Sequence, residues 1–351
     1  MARITIVGLG LLGTSLGMAL KRADKRGHRI TGFDADMKVA RKSKGRGAID
    51  HVEDDLAKAV AVAEVVVIAT PARAVKTVLE AIAGHVTQGA VVTDVASTKR
   101  QVMAWAEELL PRGVSFIGGH PMAGLELSGP EAAKADLFVG ARWCLMPGRH
   151  ATEGALQSVM AMAESVGAKT LFIDPQEHDL LVAGISHAPI ALSAALVAST
   201  SRSASWPEMA GLAAGGYRDV SRLASGSPTM SVDICLTNAD AIEEWLGRCI
   251  AALEEIRTHV KAQDAEQLIR LFSEVYSERE RWLAGVAQER HSKSKVEIPT
   301  MGDSAYRTLF GEAMYKQTKR LFELSNNPTL RSRPETEDDK HGSGAAKPPP
   351  K

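Results

Sequence analysis

The sequence predicts a two-part chain: an N-terminal α/β domain built on a doubly wound parallel sheet, then an all-α helical domain. Three observations predict it. Residues 7–17 read Val-Gly-Leu-Gly-Leu-Leu-Gly-Thr-Ser-Leu-Gly, a glycine fingerprint set between a β-branched run and a helical run. Strand-like and helix-like segments then alternate to about residue 173, the pattern of an open sheet covered on both faces, Rossmann-like in its first unit. From Pro175 onward strand signals largely vanish and long helical periodicity takes over.

The opening unit has every part of a dinucleotide site. Arg3–Val7 is a short β-branched run, Gly8, Gly10 and Gly13 fill the G-x-G-x-x-G positions, and a helical run follows from Leu11 to Lys25. Gly8 permits the tight turn, Gly10 lets a pyrophosphate reach the backbone, and Gly13 lets helix and strand pack closely. The first helical turn at Leu11 and Leu12 offers unpaired N–H groups and a partial positive charge to phosphates. The second strand, Arg29–Phe33, ends at Asp34, 21 residues after Gly13, where a carboxylate accepts from the adenosine ribose hydroxyls. The same carboxylate repels a 2′-phosphate, so NAD is expected over NADP.

The elements that follow are strands at Glu64–Ala69, Ala90–Thr93, Val114–Ile117, Arg142–Met146 and Lys169–Ile173, with helices at Arg73–Gly84, Ser97–Leu110 and about Thr152–Val166. Strand ends at Asp34, Thr70, Asp94 and Gly118 line the crevice where open α/β sheets bind ligands. Thr70-Pro71 sits where the chain passes the nicotinamide ribose and is read as a cofactor contact. Asp174-Pro175 is the natural boundary, since proline suits a first helical turn. The chain divides as 1–174, 175–325 and a tail, 326–351, whose Pro-, Gly- and charge-rich end predicts disorder. Asp240–Lys261 and Asp264–Ala287 read as a helical pair, and Tyr306–Leu324 as another helix.

Composition narrows the function classes. Lys plus Arg equals Asp plus Glu, 42 each, so no global field favours nucleic acid or an anionic membrane. Three cysteines, Cys144, Cys235 and Cys249, have no metal-ligand spacing; they suit a reducing cytoplasm and no metal is expected. The apolar stretch Leu180–Ala198 contains Ser186, His187, Pro189 and Ser193 and is read as a buried helix rather than a membrane span.

Four groups of residues can carry chemistry. Gly118-Gly-His-Pro-Met-Ala-Gly124 places His120 in a glycine-rich loop on the cofactor side of the sheet, and Pro121 keeps residue 120 out of helical geometry. That favours a functional imidazole over a loop histidine satisfied by its neighbours. Ser97, in Asp94-Val-Ala-Ser-Thr-Lys99, is a helix N-cap, a ligand contact, or both. His187, in Ser186-His-Ala-Pro189, lies in a helix where a histidine is usually a core residue, but a proline kink frees backbone groups and often marks a site. Arg218 and Arg222 stand four residues apart on one helical face. They form a solvated basic face or, if Leu212, Val220 and Leu223 bury them in part, a carboxylate clamp.

Taken together in this order, the fingerprint, Asp34, Asp94–Lys99, Gly118–Gly124, Ser186–Pro189 and Tyr217–Arg222 resemble the prephenate/arogenate dehydrogenases of tyrosine biosynthesis over about residues 1–290. The resemblance implies oxidative decarboxylation of prephenate or arogenate with NAD, and a helical second domain that binds substrate and builds a homodimer. It implies that His120 is the catalytic histidine, that Ser97 orients it and the substrate hydroxyl, and that Arg222 binds a substrate carboxylate. Arg218 falls where a basic residue is common, and His187 near the substrate side chain. Many members carry a second histidine where this chain has Ile190, which leaves the side-chain preference open. Two other readings stand beside this one: a β-hydroxyacid or imine-reducing dehydrogenase of similar layout, and a non-catalytic NAD-sensing protein.

Overall fold

The computed structural model describes residues 2–24 and 27–285. The expected helix at 306–324 and the tail at 326–351 lie outside these residues. Eight strands form one sheet: β1 (Arg3–Val7), β2 (Arg29–Phe33), β3 (His51–Val52), β4 (Val65–Ile68), β5 (Val91–Asp94), β6 (Ser115–Pro121), β7 (Arg142–Pro147) and β8 (Lys169–Phe172). Their spatial order is β3-β2-β1-β4-β5-β6-β7-β8. Chain order therefore reverses between β1 and β4, and the crevice outside those two strand ends is where such sheets hold ligands. Consecutive hydrophobic runs such as Val65-Val-Val-Ile68 pair on both edges and are buried on both faces.

Two expectations need correction. The sheet is not wholly parallel: β7 runs antiparallel to β6, pairing His120 with Cys144 and Pro121 with Trp143. The connection between them holds only a short 3-10 turn, Pro130–Ala132, and an antiparallel neighbour needs no helical crossover. In consequence Gly118, Gly119 and His120 do not form a loop. β6 continues through them to Pro121, fully buried.

The second correction concerns the apolar stretch after Asp174. Asp174 caps helix Pro175–Val182 by accepting from the N–H groups of Gln176 and Glu177, the cap expected before a first-turn proline. The helix then widens into a π turn, Ala183–His187, before helix Ala188–Ser201. Pro189 accounts for the widening, because it lacks an N–H and its ring crowds the carbonyl of Ile185, four residues earlier. The run is not buried as expected: Leu181 is 50% and Ile185 74% exposed. A small core of Ala183, Ile234, Ala241 and Ile242, with Ile190, Trp245 and Leu246 against it, fixes its other side.

Further helices are Trp206–Leu212, Gly215–Ser221, Pro228–Thr237 and Ala239–Ala262, with a 3-10 segment at Arg222–Ser225. Contacts divide the chain into two compact units, 1–263 and 264–351. In the second, helix Ala265–Leu283 is capped by Asp264, whose carboxylate accepts from the Gln267 N–H at 3.1 Å.

Candidate active site

The glycine turn leaves β1 for helix Leu11–Ala23. Gly8 has φ +94°, and a Cβ there would lie 2.7 Å from the Ala69 carbonyl oxygen, so only glycine fits. Gly10 faces open space within 4 Å, and no side chain caps the first turn of the helix. That turn, at Leu11, Leu12 and Gly13, is a cradle of the kind that takes a phosphate. Asp34 accepts from the Leu9 N–H at 2.7 Å and the Asp36 N–H at 2.9 Å. It thus ties the glycine turn to the end of β2 and keeps lone pairs for a ribose. Past β4, the Thr70 hydroxyl is buried with no partner among the described residues, and Pro71 follows it. An orphaned hydroxyl, an uncapped helix and an open glycine fit a dinucleotide held by Gly8–Gly13, Asp34 and Thr70.

His120 stands on β6 amid a polar cluster within the core. Its Nδ1 lies 2.8 Å from His178 Nε2, and His178 Nδ1 lies 2.8 Å from Asp179 Oδ1. Asp179 also accepts from the Lys99 N–H at 2.8 Å and the Arg100 N–H at 2.9 Å, so it caps helix Arg100–Leu109 from the side. This is the cap that Ser97 was expected to supply. Ser97 instead sits half-buried ahead of that helix, and among the described residues its hydroxyl has no hydrogen-bond partner.

Lys99 is fully buried; its Nζ bonds the Asp94 carboxylate and, at 2.7 Å, the Gly119 carbonyl. Asp94 accepts in turn from the Gly119 N–H at 3.1 Å. The Lys99–Asp94 pair thus grips both polar groups of the residue before His120. A Cβ on Gly119 would lie 2.4 Å from the Asp94 carbonyl oxygen, so this close approach requires glycine. Burial pulls the Lys99 ammonium down from its ordinary range, against the pull of Asp94. Burial also holds His120 well below the ordinary imidazole value, with His178, Lys99 and His187 adding repulsion. His120 is therefore a neutral imidazole at pH 7.

The helical residues are placed differently. His187 is buried in the π turn, where Asn238 Nδ2 lies 3.2 Å from its Nδ1 and its Nε2 has no partner among the described residues. Burial pushes it down to about 4. Arg218 and Arg222 are both exposed, and Arg222 pairs with Glu126 from the β6–β7 connection. Leu212 at 84% and Val220 at 61% exposure do not bury the arginines as expected.

Residues 16–172 match the family model described as prephenate dehydrogenase, nucleotide-binding domain, and residues 174–274 match prephenate dehydrogenase, dimerization domain. The chain is 38% identical to a prephenate dehydrogenase of Bacillus subtilis (strain 168) over 77% of its own length and 73% of the relative's. The chain belongs to the prephenate dehydrogenase family. A crystal structure of the Aquifex aeolicus prephenate dehydrogenase with hydroxyphenyl propionate and NAD+ matches at TM-score 0.74 and 28% identity, covering 80% of this chain and 98% of that one. A Synechocystis arogenate dehydrogenase matches at TM-score 0.66 and 31% identity, covering 80% and 99%. The protein is an NAD-binding oxidoreductase with prephenate/arogenate dehydrogenase activity in aromatic amino acid biosynthesis.

The family match begins past the glycine fingerprint, so the turn at Gly8–Gly13 rests on its own geometry. The exposed apolar run Pro175–Ser201 is long and apolar enough to cross a membrane by length and composition, but lies inside the dimerization-domain match. Sequence reasoning gave Lys99 no role within its Asp94–Lys99 motif and missed His178, Asp179, Asn238 and Glu126. Their only signal was the adjacent His178-Asp179 pair, which reads as the polar first turn of a helix.

Proposed function

We propose that this dehydrogenase takes prephenate as its substrate, tolerates arogenate, and uses His120 as its general base. The observation that carries the proposal is the buried, neutral His120, held by its Nδ1 on the crevice side of the sheet. Held by Gly8–Gly13, Asp34 and Thr70, NAD would supply the acceptor for the hydride that C4 of the substrate ring gives up. His120 Nε2 takes the proton of the C4 hydroxyl. The bond from C1 to its carboxylate then breaks, CO2 leaves, its electron pair completes the aromatic ring, and the C4 oxygen retains the product's hydroxyl by recovering a proton. Acid–base help of this kind is worth on the order of 10²–10⁴ in rate.

Ser97, whose hydroxyl has no hydrogen-bond partner among the described residues, is assigned to the substrate hydroxyl and His187 to the substrate side chain. Arg222, with Arg218 beside it, is assigned to a substrate carboxylate, which must displace Glu126. Asp34 supports NAD over NADP, because a carboxylate at the ribose repels a 2′-phosphate. We further infer a cytoplasmic homodimer through the helical domain; the exposed Leu180, Leu181 and Ile185 within the dimerization-domain match support the pairing. The test is a steady-state assay with both substrates and both cofactors. The proposal expects the highest kcat/KM for prephenate with NAD. A higher value for arogenate, or for NADP, overturns the corresponding part.

A further inference from the structure

The three buried histidines of the site are not equivalent, and their hydrogen bonds run outward from one residue. Asp179 offers its carboxylate to His178 and its backbone carbonyl to Asn238, whose Nδ2 lies 2.7 Å away. A carboxylate and a carbonyl only accept, so each fixes the direction of the chain of bonds that begins on it.

Along the first chain, His178 Nδ1 carries the hydrogen that Asp179 accepts. The single hydrogen between His178 Nε2 and His120 Nδ1 is placed on His120, so that His178 Nε2 accepts from it. His120 is neutral because it is buried beside Lys99, so its Nε2 is left without a hydrogen. Along the second chain, the Asp179 carbonyl orients the Asn238 amide with its NH2 inward. That NH2 also faces His187 Nδ1, which must accept and therefore carries no hydrogen. Neutral His187 then bears its hydrogen on Nε2, an N–H buried without a partner among the described residues. An orphaned buried donor is costly unless something fills it.

We propose that Asp179, through His178 and Asn238, sets opposite tautomers on two site histidines: His120 presents Nε2 as a proton acceptor, and His187 presents Nε2–H as a hydrogen-bond donor. This rests on the reading of His120 as base and of His187 as facing the substrate side chain. Asp179, His178 and Asn238 are positioning residues. The bond made by one ring nitrogen decides what the other can do. A fixed donor at His187 suits the keto oxygen of a pyruvyl side chain. It gives nothing to an ammonium, which has no lone pair. The same lock therefore favours an oxo-acid substrate over its amino-acid counterpart.

The test is nitrogen NMR of the full-length protein labelled with ¹⁵N-histidine, without ligands, near pH 7. Resonances are assigned by His120→Gln, His178→Gln and His187→Gln. The expected spectrum has His120 protonated at Nδ1 and bare at Nε2, and His187 the reverse. A bare Nδ1 on His120, a doubly protonated His178, or a rapidly averaged mixture on either ring overturns the proposal, and the wild-type spectrum alone decides this. Asn238→Asp replaces the donor by an acceptor; it should reverse His187, leave His120 unchanged, and raise KM for prephenate about tenfold with little change in kcat. His178→Phe removes the acceptor for His120 and should lower kcat about tenfold or more, whereas His178→Gln, whose carbonyl can accept, recovers part of the loss. Equal kcat for the Phe and Gln variants contradicts a positioning role. If the tautomers are as expected but His120→Asn keeps its turnover, the reading of His120 as base fails and the tautomer assignment stands.

Discussion

The surroundings of His120 and of Arg222 are opposite in character. His120 is locked into β6 by a buried lysine–aspartate pair and by a histidine–aspartate relay, and every partner comes from within one compact unit. Arg222 starts a 3-10 segment after a seven-residue helix, is exposed, and among the described residues pairs with Glu126 alone. A surface pair of this kind is worth roughly 0–1 kcal/mol, while breaking a buried network costs several times more. The proton-transfer centre is thus preformed in the single chain, and the carboxylate-binding side is held loosely until substrate or a second copy engages it. Rigid chemistry and adaptable recognition are divided between the sheet and the helices.

The largest effect should come from the rigid side. His120→Asn is expected to lower kcat by about 10²–10⁴ while NAD affinity, measured by fluorescence titration, stays nearly unchanged. Retained turnover would reduce the cluster to packing. Arg222→Gln should act on the other side of the comparison, raising KM for substrate with a smaller change in kcat. Loss of one charge-assisted hydrogen bond costs about 1.5–3 kcal/mol. An unchanged KM would return Arg218 and Arg222 to a solvated basic face. The smallest effect is expected at Ile190, which packs on the helical core of Ala183, Ile234 and Ala241. Ile190→His should shift the prephenate-to-arogenate ratio of kcat/KM by no more than about tenfold, or roughly 1.4 kcal/mol, and should lower Tm. A larger shift would mean that residue 190 contacts the substrate directly.

The same contrast governs what could be read from the sequence. The glycine fingerprint, the strand run to Asp34 and the loss of strand signal at Pro175 are local patterns, and they carry the fold class. His120 stood out because Gly-Gly-His-Pro is unusual in one short window. Its partners did not, because His178 lies 58 residues away and Asp179 works across the fold as a cap. The direction of β7 was hidden, since Arg142–Pro147 is equally hydrophobic read either way along the sheet. The exposure of Leu181 and Ile185 was hidden for a different reason: an apolar helix shows that something covers it, not whether the cover is its own chain.

The most direct test of a preformed, neutral base is the pH dependence of kcat/KM for prephenate with saturating NAD, which reports ionisations of the enzyme before prephenate binds. Burial and neighbouring positive charge disfavour the imidazolium of His120, so its protonation, and the fall in rate that follows, is displaced to lower pH. The account predicts an acid limb clearly below the ordinary imidazole value of about 6.5, absent from His120→Asn. An acid limb at or above that value, or one that persists unchanged in the variant, would contradict it.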